Sequence, residues 1–292
     1  MSEHDYKLVA LDIDGTVLDS DSNVSSELRE LLAELARTGD VHVALCTGRR
    51  WRSSKPVFDQ LDGLSTYVIC CGGALIKETD SARTVYMNPL GDHTARRAAE
   101  LYRHHDLVPL FCYDRPLDEK ELMVSEVDRD RAEKLRYVRR NRDDIEFFDG
   151  DYPDTNERCL QIYTVDFMSN LQGCEEDIRA ELDEDGSIRG MIQPRYGEDH
   201  IALEVHHATA TKWTGLQHLM EMWNVRPEQV VAVGDDVNDI PMLEAAGLSF
   251  AMGNAGDEVK DAADRLTTSN DDHGAAAALR EVFAGPPARE AE

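Results

Sequence analysis

The stretch Leu8-Val9-Ala10-Leu11-Asp12-Ile13-Asp14-Gly15-Thr16-Val17 decides how this chain reads. A short apolar run ends in two carboxylates one residue apart, followed by a glycine and a hydroxyl. Side chains at i and i+2 of a strand point the same way, so Asp12 and Asp14 address one spot at the carboxyl end of a strand. In open α/β sheets that end is where ligands bind. Two like charges in one cleft are costly unless something compensates them, and a divalent cation with oxygen ligands does so. One carboxylate is then placed to attack an electrophile while the other moves protons. The same letters alone also describe a turn with an acidic cap after a strand, so the rest of the chain has to choose.

Working outward, Leu28, Leu31, Leu32 and Leu35 recur at helical spacing behind Ser25, a candidate N-cap, and Gly39 reads as the stop. Val41–Cys46 is a second strand of the buried type, ending in Thr47-Gly48-Arg49. A hydroxyl and backbone amides at a strand end suit phosphate oxygens; a capping Thr in an ordinary turn is the plainer alternative. Tyr67–Cys70 is a third strand leading into Cys71-Gly72-Gly73. Helical crossovers between such strands imply a parallel sheet. Far downstream, Trp213, Leu216, Leu219, Met220 and Trp223 form an apolar helical stripe that begins beside Lys212. A lysine at a helix start opposes the helix dipole, which points to a bound anion. Val230–Gly234 is a fourth strand and runs into Asp235-Asp236-Val237-Asn238-Asp239; Leu248–Met252 is a fifth.

Taken in order, these segments resemble the four motifs of the haloacid dehalogenase-like hydrolases, in their Cof-type form. Asp-x-Asp-Gly-Thr-Val at Asp12–Val17 matches the first motif, Thr47 the second, Lys212 the third, and Gly-Asp-x-x-Asn-Asp at Gly234–Asp239 the fourth. The resemblance implies an α/β fold: a doubly wound, parallel, Rossmann-like sheet with an inserted α+β cap domain of the C2 type. It implies a Mg2+-dependent phosphatase acting on a small phosphorylated metabolite, a sugar phosphate or phosphorylated cofactor, through an aspartyl-phosphate. In that scheme Asp12 is the nucleophile and Asp14 the acid and base. Magnesium is held by Asp12, the Asp14 backbone carbonyl and Asp235, with Asp239 orienting from behind. Thr47, Gly48, Lys212 and Asn238 hold the phosphoryl oxygens. Arg49 is a minor candidate. Gly72 stands where the family usually has Asn, which puts any substrate contact from that position in doubt. A phosphosugar mutase and a catalytically silent phosphate-binding protein use the same motifs and stay open. A receiver domain shares Asp, Thr and Lys, but its phosphorylated Asp would follow the third strand.

The 292 residues include 58 acidic and 31 basic side chains, for a net charge of −27. That balance argues against nucleic acid or an anionic membrane as partner. Only seven of the basic residues are lysines. An acidic, lysine-poor composition suits a salt-rich cytoplasm, an expectation that a melting temperature falling in molar salt would remove. No 18-residue apolar run is present, and the acidic N-terminus is unlike a signal peptide. The six cysteines lack zinc-ligand spacing, which fits buried thiols in a reducing cytoplasm. Monomer and homodimer stay open. Asp19, Asp21, Asn23 and Glu30 follow a calcium-loop spacing, but Val24 stands where that loop needs glycine.

The expected organisation is a first core part over 1–85, a cap over 86–207, a second core part over 208–284 and a flexible tail over 285–292. Within the insert the pattern predicts helices over 93–104, 128–139 and 168–183. It predicts strands over 107–113, 121–125, 159–165, 187–193 and 200–206, with a loop from Asn141 to Asn156. Arg115, Glu126, Arg158, Arg195 and His200 are its polar candidates, none singled out.

Overall fold

The structure is a computed structural model that describes residues 6–61, 63–171, 173–182, 186–192 and 200–283. The expected tail over 285–292, and Arg195 in the insert, lie outside these residues. The chain divides into two units, Met1–Tyr86 with Thr211–Glu292, and Met87–Ala210.

The first unit opens with β1 (Leu8–Asp12), α1 (Ser26–Thr38), β2 (His42–Cys46), α2 (Trp51–Phe58), β3 (Tyr67–Cys70), β4 (Leu75–Glu78) and β5 (Thr84–Met87). Every residue of β1 is buried, which is what a near-continuous apolar run means in a sheet covered on both faces. Burying each of its large aliphatic side chains contributes roughly 1.5–3 kcal/mol. The start of α1 is set by Ser25, whose hydroxyl accepts from the Leu28 N–H at 3.2 Å, and its end by Gly39 in the left-handed region.

The insert forms the second unit: α3 (Asp92–His104), β6 (Leu110–Tyr113), β7 (Leu122–Ser125), α4 (Arg129–Ala132), α5 (Arg136–Arg140), β8 (Ile145–Phe148), β9 (Cys159–Phe167), α6 (Met168–Leu171), α7 (Cys174–Glu181), β10 (Gly186–Ile192) and β11 (His200–His207). Its sheet runs β10-β11-β9-β6-β7-β8. The pairs are antiparallel except β7 with β8. Alternate residues of its strands, among them Phe111, Ile162, Leu203 and Val205, join α3 and α7 in one core.

The chain then returns to the first unit through α8 (Lys212–Trp223), β12 (Val230–Gly234), α9 (Ile240–Ala245), β13 (Leu248–Ala251), α10 (Asp257–Ala262), β14 (Arg265–Leu266) and α11 (Gly274–Phe283). The eight-stranded sheet has the order β14-β13-β12-β1-β2-β3-β4-β5. It is parallel from β14 to β3, and β4 then pairs antiparallel with β3. Leu8 and Ala10 pack into the cluster with α8, α9 and α10; strand alternation sends Val9 and Leu11 to the opposite face. On β1 and β12, neighbours at the centre of the sheet, the carboxyl ends carry Asp12 and Gly234-Asp235.

Some elements differ from the sequence reading. The helix expected over 128–139 is two short helices, because Leu135 is extended (ψ 130°) between them, turning Tyr137 and Val138 inward. The stretch from Asn141 to Asn156 holds β8, whose apolar residues were masked by flanking aspartates. The helix over 168–183 is broken at Gly173 (φ 83°). Strand β4, antiparallel to β3, and strand β5 beside it at the sheet's edge are absent from the sequence pattern. The Asp19 loop is a side-chain-stabilised turn: Asp19 Oδ1 accepts from the Asp21 and Asn23 N–H groups at 3.0 and 2.8 Å.

Candidate active site

The site sits where β1, β2 and β12 end, and on the first turn of α8. Lys212 is the first residue of α8, whose N-cap Thr211 is paired with Thr214 in a capping box. The lysine is 1% exposed. Its Nζ donates to Asp12 Oδ1 and to Asp239 Oδ1, both at 2.5 Å. Its position at a helix start is thereby explained by two buried carboxylates. Burial by itself would depress the lysine, but Asp12 and Asp239 outweigh it and hold the ammonium above its ordinary value.

Asp239 is wholly engaged. Its Oδ1 takes Lys212, and its Oδ2 accepts the backbone N–H groups of Asp235 and Asp236 at 3.0 and 3.1 Å. Gly234 permits this fold-back, since a Cβ there would stand 2.5 Å from the Asp239 Cγ. Asp235 points elsewhere. It accepts from the Thr16 hydroxyl at 3.2 Å and from Asn254 Nδ2 at 3.1 Å. A Cβ on Gly15 would meet its Oδ2 at 2.1 Å, and Gly15 is at φ +76°, so the glycine of the first motif is required by both the turn and this close approach.

Asp12, Asp235 and Asp239 bring carboxylate oxygens within 4.8 Å of one another. Three carboxylates face one ammonium. Burial lifts Asp12 well above the ordinary carboxylate range; Lys212 opposes this, and Asp239, Asp235 and Asp14 add to it. Burial, reinforced by Asp239, pushes Asp235 up to about 7. A donor set of hard oxygens with an excess of negative charge fits a divalent metal ion, and with Asp239 spent on Lys212 and the backbone, the carboxylates left for a cation are those of Asp12 and Asp235.

Asp14 is not part of that cluster. Its side chain is 55% exposed and pairs with Arg49, which donates through Nε at 2.7 Å and through Nη2. The guanidinium is held from behind by the Ser53 carbonyl at 3.2 Å. Thr47 ends β2, buried; its hydroxyl accepts from the Arg49 N–H at 3.0 Å and its carbonyl from the Gly72 N–H at 3.0 Å. Gly48 is half-buried beside it, and Asn238 lies on the turn between Asp235 and Asp239. The Cys71-Gly72-Gly73 turn runs at positive φ throughout. A Cβ on Gly73 would stand 2.0 Å from the Thr211 carbonyl oxygen, so this turn seats the start of α8 and with it Lys212.

One participant escaped the sequence reading. Asn254, in the turn after β13, donates to the Gly15 carbonyl at 3.0 Å and to Asp235 at 3.1 Å, and its Oδ1 accepts from the Asn270 N–H at 3.0 Å. It ties the first and fourth motifs together. In sequence, Gly253-Asn254-Ala255 is a turn; no local pattern says what the carboxamide reaches.

The family model of the haloacid dehalogenase-like hydrolases matches residues 9–279. The chain belongs to that family. It is 29% identical over 302 residues to the phosphatase YwpJ of Bacillus subtilis, covering 95% of this chain and all of that one. It is also 29% identical over 290 residues to the 5-amino-6-(5-phospho-D-ribitylamino)uracil phosphatase YitU of the same organism, covering 94% and 97%. Among solved structures, a haloacid dehalogenase-like hydrolase from Bacteroides thetaiotaomicron superposes with a TM-score of 0.77 at 25% identity, covering 95% of this chain and all of that one.

Proposed function

We propose that this hydrolase is a magnesium-dependent phosphatase that releases phosphate from a small phosphorylated metabolite through an aspartyl-phosphate on Asp12. The observation that carries the reading is the pair of 2.5 Å contacts from Lys212 to Asp12 and Asp239, with Asp235 alongside. A buried nucleophilic carboxylate is oriented by an ammonium whose charge also suits a phosphoryl group. The name of YitU, a phosphatase of a phosphorylated ribityl compound, supports the substrate class.

The carboxylates of Asp12 and Asp235 and the Asp14 carbonyl would hold the cation, which supplies charge neutralisation at the phosphoryl oxygens. Asp12 attacks phosphorus in line; the Asp12–phosphorus bond forms as the bond to the leaving alcohol breaks. Asp14, protonated, gives its proton to that oxygen, which requires its pair with Arg49 to open. Asp14 then takes a proton from the water that attacks phosphorus, and Asp12 leaves with inorganic phosphate as the second product. Thr47, Gly48, Lys212 and Asn238 bind the phosphoryl oxygens. Positioning and charge neutralisation account for the catalysis. The Met87–Ala210 unit serves as the cap domain that selects the alcohol. Six free, buried cysteines suit a reducing cytoplasmic setting.

The test is phosphate release from a panel of phosphorylated metabolites, with magnesium and with EDTA. Release that needs magnesium supports the reading; a folded, magnesium-loaded protein that releases none contradicts it.

A further inference from the structure

The turn that follows Asp12 is held by residues from the other end of the chain. Within the turn the backbone closes on itself, with the Leu18 N–H donating to the Ile13 carbonyl at 3.0 Å. Outward, the Gly15 carbonyl accepts from Asn254 Nδ2 at 3.0 Å. The Leu18 carbonyl accepts at 2.9 Å from Nδ2 of Asn270, 252 residues away in sequence. Two residues on, the Ser20 N–H and hydroxyl donate to the two carboxylate oxygens of Asp271, each at 2.8 Å. Residues 15–20 thus lie along one strap, made of the turn after β13 and the loop between β14 and α11, and all of it belongs to the first unit.

The strap is itself tightly built. The Thr267 and Thr268 hydroxyls donate to the Gly274 and Asp272 carbonyls at 2.7 and 3.0 Å, and Ser269 Oγ donates to Asp272 Oδ2 at 2.7 Å. The Gly253 N–H donates to the Thr268 carbonyl at 3.0 Å, which fastens the Asn254 turn to the same loop. A Cβ on Gly253 would stand 2.8 Å from the Ser269 nitrogen. Asn270 then fixes the sense of the Asn254 carboxamide. Its N–H donates to Asn254 Oδ1 at 3.0 Å. That end only accepts, so the donor end, Nδ2, faces Asp235 Oδ2 at 3.1 Å. The reversed carboxamide would set an oxygen against a carboxylate and an NH2 against an N–H.

Resting on the magnesium-dependent reading above, we propose that Asn270 and Asp271 are positioning residues for the metal site: through Asn254 and the Gly15–Ser20 backbone they set how tightly Asp12 and Asp235 hold a divalent cation. The two carboxylates stand on separate segments, the ends of β1 and β12, so their separation depends on what links those segments. The Thr16 hydroxyl reaches Asp235 at 3.2 Å, and the strap supplies the rest. Asn270 acts on Asp235 by way of Asn254. The Asn270 side chain and Asp271 act on the stretch that leaves Asp12. Ligands already in place bind a cation more tightly, because the cost of ordering them is met by folding rather than by binding. Asp271 acts by accepting hydrogen bonds from Ser20, not by its charge.

The experiment measures magnesium binding by calorimetry on the substrate-free protein, beside the magnesium concentration for half-maximal phosphate release. It uses wild type, Asn270→Ala, Asp271→Ala, the double variant and Asp271→Asn. Each single alanine variant weakens magnesium about threefold and the double variant about tenfold, in both readouts, and excess magnesium restores turnover. Asp271→Asn still accepts from Ser20 and stays near wild type. Arg265→Ala breaks the exposed pair with Glu281 on the same segment; as a control for general loosening, it binds magnesium as wild type does. Should the double variant fail to melt cooperatively, the single variants decide. Alanine variants that melt earlier in EDTA yet keep wild-type magnesium affinity have lost stability alone, and overturn the proposal while leaving the phosphatase standing. A fall in Asp271→Asn as large as in Asp271→Ala also overturns it. Magnesium binding without phosphate release in wild type removes the phosphatase reading, and the calorimetric ratios still decide the strap. A wild type that neither binds magnesium nor releases phosphate overturns both.

Discussion

Asp12 and Asp128 are buried carboxylates, one in each unit, with opposite surroundings. The Asp128 side chain is fully buried and meets two guanidinium groups, Arg103 Nε at 2.9 Å and Arg131 Nη2 at 2.7 Å, the second of which also reaches the exposed Asp106 at 3.2 Å. Asp12 has only a share in one ammonium, since Lys212 also serves Asp239, and Asp235 stands close by. The first arrangement is balanced and builds structure. The second carries an excess of negative charge in a partly dry site, which costs stability until a cation arrives. A buried carboxylate short of partners is therefore a better pointer to chemistry than burial or charge alone.

Four substitutions probe this difference between the two carboxylates, the largest effect first. Asp12→Asn removes the proposed nucleophile, and phosphate release is expected to fall by about 10^4-fold or more. The melting temperature does not fall, because an uncompensated charge goes with it; a calorimetric scan beside the assay checks both. Asp128→Asn does the reverse. It takes from Arg103 its carboxylate and from Arg131 one of two, and lowers the stability of the second unit by about 2 kcal/mol, seen as an earlier melting transition; turnover at temperatures below that transition is retained. Asn254→Ala loosens Asp235 without touching Asp12, and the magnesium concentration for half-maximal activity rises about tenfold. A larger drop in kcat than in magnesium affinity would mean that Asn254 does more than hold the ligand.

The smallest effect is on metal-free stability. The Asp235 carboxyl is pushed up to about 7 in the folded protein, by burial first and Asp239 second, from an ordinary 3.8. Between those values the folded state binds the extra proton, so stability falls as pH rises through the window and the full cost is present above about 7. Asp235→Asn removes that cost. Its melting temperature in EDTA exceeds wild type by a few degrees at pH 8, and the gain shrinks toward pH 5. A gain that grew as pH fell would contradict the assignment.

How much of this was legible in the sequence depended on how local the cause was. Strands β1, β2, β3 and β12 are buried on both faces and read as unbroken apolar runs. The carboxylates at their ends sit in contiguous motifs, so Asp12, Asp235 and Asp239 stand out as candidates together with Lys212, and the structure brings the four side chains together. The Lys212 position, unfavourable for a helix start, was itself informative, because only a buried acid or an anion explains it. Strands β4, β5 and β8 were harder: each is four residues long, and β5 is only half-buried along its length. Such strands are held by pairing with a neighbour rather than by their own composition. Asn254 and the Arg49–Asp14 pair depend on contacts across the fold, which no spacing reveals.

Phosphoryl transfer to Asp12 is tested by rapid acid quench of the enzyme during turnover of a phosphate-labelled substrate, with the labelled peptide then mapped. Label is expected on the peptide carrying Asp12 in wild type, and none in Asp12→Asn. An active wild type that never carries label there, with Asp12→Asn still turning over, would contradict it.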